Sequence, residues 1–149
     1  MSPGVLEFVR SIDIARPATE VFAYASDFNR AQDWRTEVVE SIMEPVGSMR
    51  LGSRLHEVAL MSGRRVVTDS VVDTYEPPHR FTFAHLSGPM AVSGEYAVEA
   101  VEAGSRLTYT LRVRLSGLWV LLTPVFRRTG PKMIDSSLRR LADQLSARV

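Results

Sequence analysis

The chain contains no cysteine. That excludes a disulfide framework, a thiolate metal site and a thiol nucleophile. It lacks a basic leader followed by an apolar run, so no signal peptide is expected. Its longest apolar stretch, Leu118 to Phe126, falls far short of the ~20 residues a membrane span needs. These absences lead to the expectation of a cytoplasmic protein. HxH and HExxH spacings are missing, and His56, His79 and His85 are scattered, so no metal is expected. Nucleophile elbow, P-loop and dinucleotide fingerprint are all missing. The net charge is only +1, which argues against a dedicated nucleic-acid binder. The balance is uneven, however: six basic and two acidic side chains follow Ser116. Such a basic helix can face an acidic partner or a membrane surface, or be a plain solvated exterior.

What is present is ordinary for a globular chain. With 149 residues and 45% hydrophobic content, one domain over 1–149 can bury a core without staples. Val5 to Ile14 alternates as a strand. Pro17 suits the first turn of a helix, with Glu20 complementing its dipole. Ala18, Val21, Phe22 and Ala25 give that helix its apolar face. Ser26-Asp27 interrupts it and can cap a second short helix, Phe28 to Asp33, closed by Trp34. From Thr36 the period changes to two. Strands are expected over 36–44, 52–61, 64–76, 80–87, 91–102 and 106–115, separated by glycine and proline turns. In the last strand Leu107, Tyr109, Leu111, Val113 and Leu115 alternate with Arg106, Thr108, Thr110, Arg112 and Arg114, so one sheet face is wet.

The only long helical period lies near the C-terminus. Ile134, Leu138, Leu141 and Leu145 make one apolar stripe. Thr123-Pro124 and Gly130-Pro131 predict two helix starts: a short apolar helix, a kink or break, and a main helix from Pro131 to about Ala147. The lead-in over 118–126 is then either a lid over a cavity mouth or packing at the sheet end. The order β-α-α-β6-α predicts an α+β fold: a curved, seven-stranded antiparallel sheet around a long C-terminal helix.

At this point the chain resembles a START-related, helix-grip protein of the polyketide cyclase/dehydrase and lipid-transport type (the SRPBCC superfamily). The resemblance spans essentially the whole length. Ile14-Ala15-Arg16-Pro17-Ala18-Thr19-Glu20-Val21-Phe22 carries it, followed by Ser26-Asp27-Phe28 and Trp34. Leu51-Gly52-Ser53-Arg54-Leu55 continues it, then Val71-Val72-Asp73-Thr74-Tyr75-Glu76-Pro77-Pro78-His79-Arg80-Phe81. Gly104-Ser105-Arg106-Leu107-Thr108-Tyr109 completes it. Similar proteins run the last helix unbroken, and the two prolines depart from that pattern. The motifs are structural, so the resemblance implies a hydrophobic cavity between helix and sheet and names no reaction.

Three functions follow. The first is binding of a small hydrophobic ligand, aromatic or polyketide- or lipid-like, without metal or nucleotide cofactor. Its walls would come from Trp34, Val58, Leu60, Phe81, Phe83 and His85. Val92, Tyr96, Tyr109, Leu111, Met133 and Ile134 would complete them. The second is a cyclase or dehydratase with His85 and Tyr96 as catalytic residues, His85 as proton carrier among Phe81 and Phe83. Unchanged turnover in His85→Ala would remove that assignment. Each residue also has a plainer role: His85 as a core or ligand-orienting group, the tyrosines as core rings bonded to carbonyls, Trp34 as a core anchor. The third is a protein-interaction module using the basic last helix. A cavity of several hundred cubic ångström favours the first two, a filled core the third. On the hairpin between the third and fourth of the seven strands, centred at Ser62-Gly63, Asp69 should face His56 and Glu57 should face Thr68. The resulting Asp69–His56 pair is a dyad only if that face is inward, and an ion pair on the wet face otherwise.

Overall fold

A computed structural model describes residues 5–61 and 63–147. Ser62, half of the expected hairpin turn, lies outside the described residues, as does Arg148. Seven strands form one sheet: β1 (Val5–Ile14), β2 (Val38–Glu44), β3 (Arg54–Met61), β4 (Arg64–Glu76), β5 (Arg80–Ser87), β6 (Ala91–Val101) and β7 (Gly104–Arg114). Their spatial order is β1-β7-β6-β5-β4-β3-β2, every pair antiparallel. Only β1 leaves sequence order. It crosses the sheet through α1 (Ala18–Ala25) and a 3-10 helix, Phe28–Asp33, so that β1 and β2 become opposite edges.

The β6–β7 turn shows why glycine is required there. Gly104 has φ +148°, and a Cβ at that position would lie 2.2 Å from the Ile14 carbonyl oxygen. The end of β1 thus rests directly on the turn backbone, and any larger residue would push the two apart.

The second α-helix, α2 (Thr123–Ser146), lies against the inner face of the sheet with Ile134, Leu138, Leu141 and Leu145 buried. This is the helix-grip arrangement, with α2 preceded by a 3-10 helix, Gly117–Leu122. The expected break at Gly130-Pro131 is not there: α2 is continuous for 24 residues, with Pro131 inside it. Proline removes one i→i−4 bond, here to the Arg127 carbonyl, and its ring crowds that carbonyl. Burial of the four-residue stripe, with Phe126 on the other side of Pro131, outweighs one missing bond. Gly130 assists: it has no Cβ to crowd the proline ring, and its bare face takes the Phe8 ring, which would lie 2.7 Å from any Cβ. Thr123 does not cap α2 either. Its hydroxyl donates back to the Val120 carbonyl at 2.7 Å, which closes the 3-10 turn instead.

Candidate functional site

The inward faces of β5 to β7 present aromatic rings at their centre. Tyr96 stacks on Tyr109 at 4.4 Å and on Phe81 at 4.8 Å, and meets Trp34 and Phe28 edge-on. Cross-strand register makes this stack: Phe81, Tyr96 and Tyr109 are direct partners on β5, β6 and β7. These rings fill much of the volume expected for a large cavity. The space left beside α2 is two small adjoining chambers, of about 80 and 120 Å³. Neither chamber reaches the several hundred cubic ångström that would favour the two ligand-taking readings over the interaction module.

The two chambers share the side chains of Met61, Met90, Leu111, Val113 and Met133. Three of the five are methionine, unbranched and able to change rotamer at low cost. The second chamber is closed by Leu6, Phe8, Leu60, Phe126, Thr129 and Gly130. The first ends in charge, with Arg35, Glu37 and Glu57 set beside Trp34.

That ionic cluster was not foreseen. Arg35 follows the 3-10 helix, where its N–H bonds the Ala31 carbonyl. Its Nε donates to Glu37 at 3.2 Å and its Nη1 to Glu57 at 2.5 Å. The three side chains are only 13%, 9% and 18% exposed. Burial alone would lower the Arg35 pKa; Glu57 and then Glu37 more than offset it and hold the guanidinium well above its ordinary value. The segment is fastened to α2, since the Thr36 N–H donates to the Ser137 hydroxyl at 3.1 Å. A sequence signal did exist. Glu57 shares the two-residue period of Leu55, Ala59 and Met61, which places a carboxylate on the inward set of β3.

Among the described residues the buried Trp34 Nε1 and Tyr96 hydroxyl nearby find no hydrogen-bond partner. Burial, with Tyr109 adding to it, pushes the Tyr96 pKa well up despite the pull of Arg35. Burial likewise pushes Tyr109 up to about 12. Near neutral pH both hydroxyls keep their protons and can donate, but neither can act as a base.

The residues anticipated from the sequence fall in several places. Trp34, Phe83, Val92, Tyr109, Leu111, Met133 and Ile134 line the first chamber, and Leu60 borders the second. Phe81 and Tyr96 lie in the ring stack behind it. Val58 is buried but outside both linings, because β3 turns Glu57, Ala59 and Met61 toward the chamber. His85 pairs with Ser70 across β4 and β5. Its Nδ1 is buried with no partner among the described residues, yet the ring borders neither chamber.

The hairpin register is as expected, with His56 opposite Asp69 and Glu57 opposite Thr68. The His56 Nδ1 and Asp69 carboxylate are 2.7 Å apart with both side chains about two-fifths exposed, so the pair sits on the wet face. Ser87 donates to the other Asp69 oxygen at 3.0 Å. The carboxylate is the hub of this trio and the serine does not meet the histidine, so no nucleophile is activated. Among the described residues no group of three or more His, Asp or Glu side chains converges as a metal site would require.

A curled antiparallel sheet gripping one long helix defines the START-like class of ligand-binding folds. The chain matches the family described as polyketide cyclase / dehydrase and lipid transport over residues 5–146, and it belongs to that family. Solved structures share the fold. TTHA0849 from Thermus thermophilus is 20% identical with a TM-score of 0.80, covering 97% of this chain and 99% of that one. A START superfamily protein from Mycobacterium smegmatis is 12% identical with a TM-score of 0.79, covering 94% and 97%. The di-domain ARO/CYC BexL from the BE-7585A biosynthetic pathway is 18% identical with a TM-score of 0.77; the match covers 99% of this chain and 52% of BexL. No curated protein sequence matches the chain.

Proposed function

We propose that this protein binds a small, mostly apolar molecule carrying one hydrogen-bonding end, held between the sheet and α2. The observation that carries this reading is the pairing of a buried ionic cluster, Arg35–Glu37–Glu57, with an apolar space walled by Met61, Met90 and Met133. A charged cluster in a core adds little stability over a well-packed apolar one. Its presence at the end of an apolar chamber fits a site that orients a ligand's polar group. Rotation of the three methionines would join the two chambers into one, which is how a ring-sized ligand would gain room. Family membership and the neighbours named START and ARO/CYC agree with this reading.

Methyl-labelled methionine makes the test direct. The chain has six methionines. On titration with 2-naphthol, an aromatic probe with one hydroxyl, the Met61, Met90 and Met133 methyl resonances should shift saturably. Met43 and Met49, buried outside the chambers, should not. Shifts that never saturate, or none at these three methyls, would sink the proposal.

The ARO/CYC neighbours favour a second reading, a cyclase or dehydratase acting on a polyketide-like substrate. In it Tyr96, protonated, would serve as donor. Both Tyr96 and His85 would have to reach the substrate from outside the present chamber lining.

A further inference from the structure

The face of the 3-10 helix and of the first turns of α2 that points away from the core has a composition unlike the rest of the surface. Leu118 and Leu121 are 84% and 76% exposed, and Val125 is 43% exposed. With Arg128 and Lys132 they recur at steps of three and four, the spacing of a single helical face. The leucines are not exposed because the segment is loose. On its other side Trp119, Val120 and Leu122 pack against the core, and the Trp119 ring stacks with Phe126 at 6.4 Å. The outward leucines are therefore held outward by inward anchors.

The charge around them has one sign. No acidic residue occurs between Glu102 and Asp135. Arg127, Arg128 and Lys132 are exposed, and among the described residues none of them has an acidic partner. Some other surface arginines are paired, as Arg106 is with Asp13 and Arg112 with Glu7; here the unpaired cations stand beside exposed leucines. Exposed leucines next to unpaired arginines match a surface that is apolar inside and anionic at its boundary. No helix among the described residues is long and apolar enough to cross a membrane, so the contact would be peripheral.

We propose that the Leu118–Leu121–Val125–Arg128–Lys132 face seats the protein on an anionic lipid bilayer. The leucines enter the acyl boundary and the basic side chains meet the headgroup phosphates. The same helix turns Phe126, Thr129, Gly130 and Met133 into the second chamber. Docking thus brings the chamber wall to the membrane surface, where apolar molecules dissolve. Docking itself does not depend on the ligand-binding reading, so failure of either leaves the other standing.

The test is co-sedimentation of the full chain with phosphatidylcholine vesicles, with and without about a third phosphatidylglycerol. Binding is expected to the mixed vesicles at low salt and should weaken as salt is raised. Leu118→Ser combined with Leu121→Ser should weaken it more than about tenfold, given the apolar area lost from the acyl boundary. Arg128→Ala and Lys132→Ala should each weaken it by about fivefold. Brominated lipid should quench Trp119, and the Trp119→Phe protein should lose that quenching. Absence of binding to mixed vesicles overturns the proposal, and so does undiminished binding by the double leucine variant. Leucine-dependent self-association without vesicle binding would assign the face to a second copy and overturn it too.

Discussion

Arg35 sits between two carboxylates in a place where charge is costly. Its cluster is stable because each partner keeps the others solvated, at 3.2 and 2.5 Å. Removing the cation therefore does more than delete two hydrogen bonds; it leaves Glu37 and Glu57 as neighbouring, largely buried carboxylates without their shared cation. Arg35→Met should destabilise the fold by about 3 kcal/mol, the low end for breaking a buried ion pair because the cluster keeps some solvent contact. A urea melt would read this as a lower midpoint at unchanged slope. Should Arg35→Met match the parent in stability, the cluster is solvated rather than buried. Neither Arg35 nor Glu37 was legible in the sequence as a site. Arginine is seldom buried, and Trp34-Arg35-Thr36-Glu37 lies where helical spacing gives way to strand spacing, so no period assigns a face. Leu107 to Leu115 was legible because its alternation runs unbroken and its glycine turn fixes where it begins.

At the scale of the element, α2 is where local preference and tertiary packing disagree. The sequence places a helix stop at Gly130 and a start at Pro131, and each signal is sound by itself. The stripe of Ile134, Leu138, Leu141 and Leu145, with Phe126 further upstream, has only one surface to bury against, and a continuous helix buries all of it. The missing bond to Arg127 is the cost of that choice. Pro131→Ala would restore the N–H and remove the ring's crowding, so stability should rise, by up to about 3 kcal/mol on the helix scale. A thermal midpoint for Pro131→Ala equal to or below that of the parent would mean that the proline ring contributes packing the helix needs. The β3–β4 register could be read in advance because a tight turn fixes every pair that follows it. Chamber size could not, because it depends on the rotamers of Met61, Met90 and Met133, to which sequence pattern is blind.

Across the whole molecule, arginine–carboxylate pairs tie the outer sheet face and α2 to the edge strand. Asp13 bonds Arg106 and Asp135 bonds Arg10, while Asp69 is held by His56 and Ser87. In each case the hydrogen bond from the partner keeps the carboxyl below its usual range, with burial working weakly the other way. A lowered folded pKa means that protons bind the unfolded chain more readily. The stability these groups supply is therefore complete above the ordinary carboxylate pKa of about 4 and is lost as pH falls through the lowered folded values. All three are largely exposed, so water and salt screen each contribution. Stability should be flat from near neutral down to about pH 5 and then decline, less steeply in high salt. Asp135→Asn isolates one of them. It should lower the urea midpoint at neutral pH and lose that effect once the pH is below the folded pKa of Asp135, because both proteins are then neutral at that position. A deficit in Asp135→Asn that is the same at both pH values would assign the loss to packing of the amide rather than to the charge shared with Arg10.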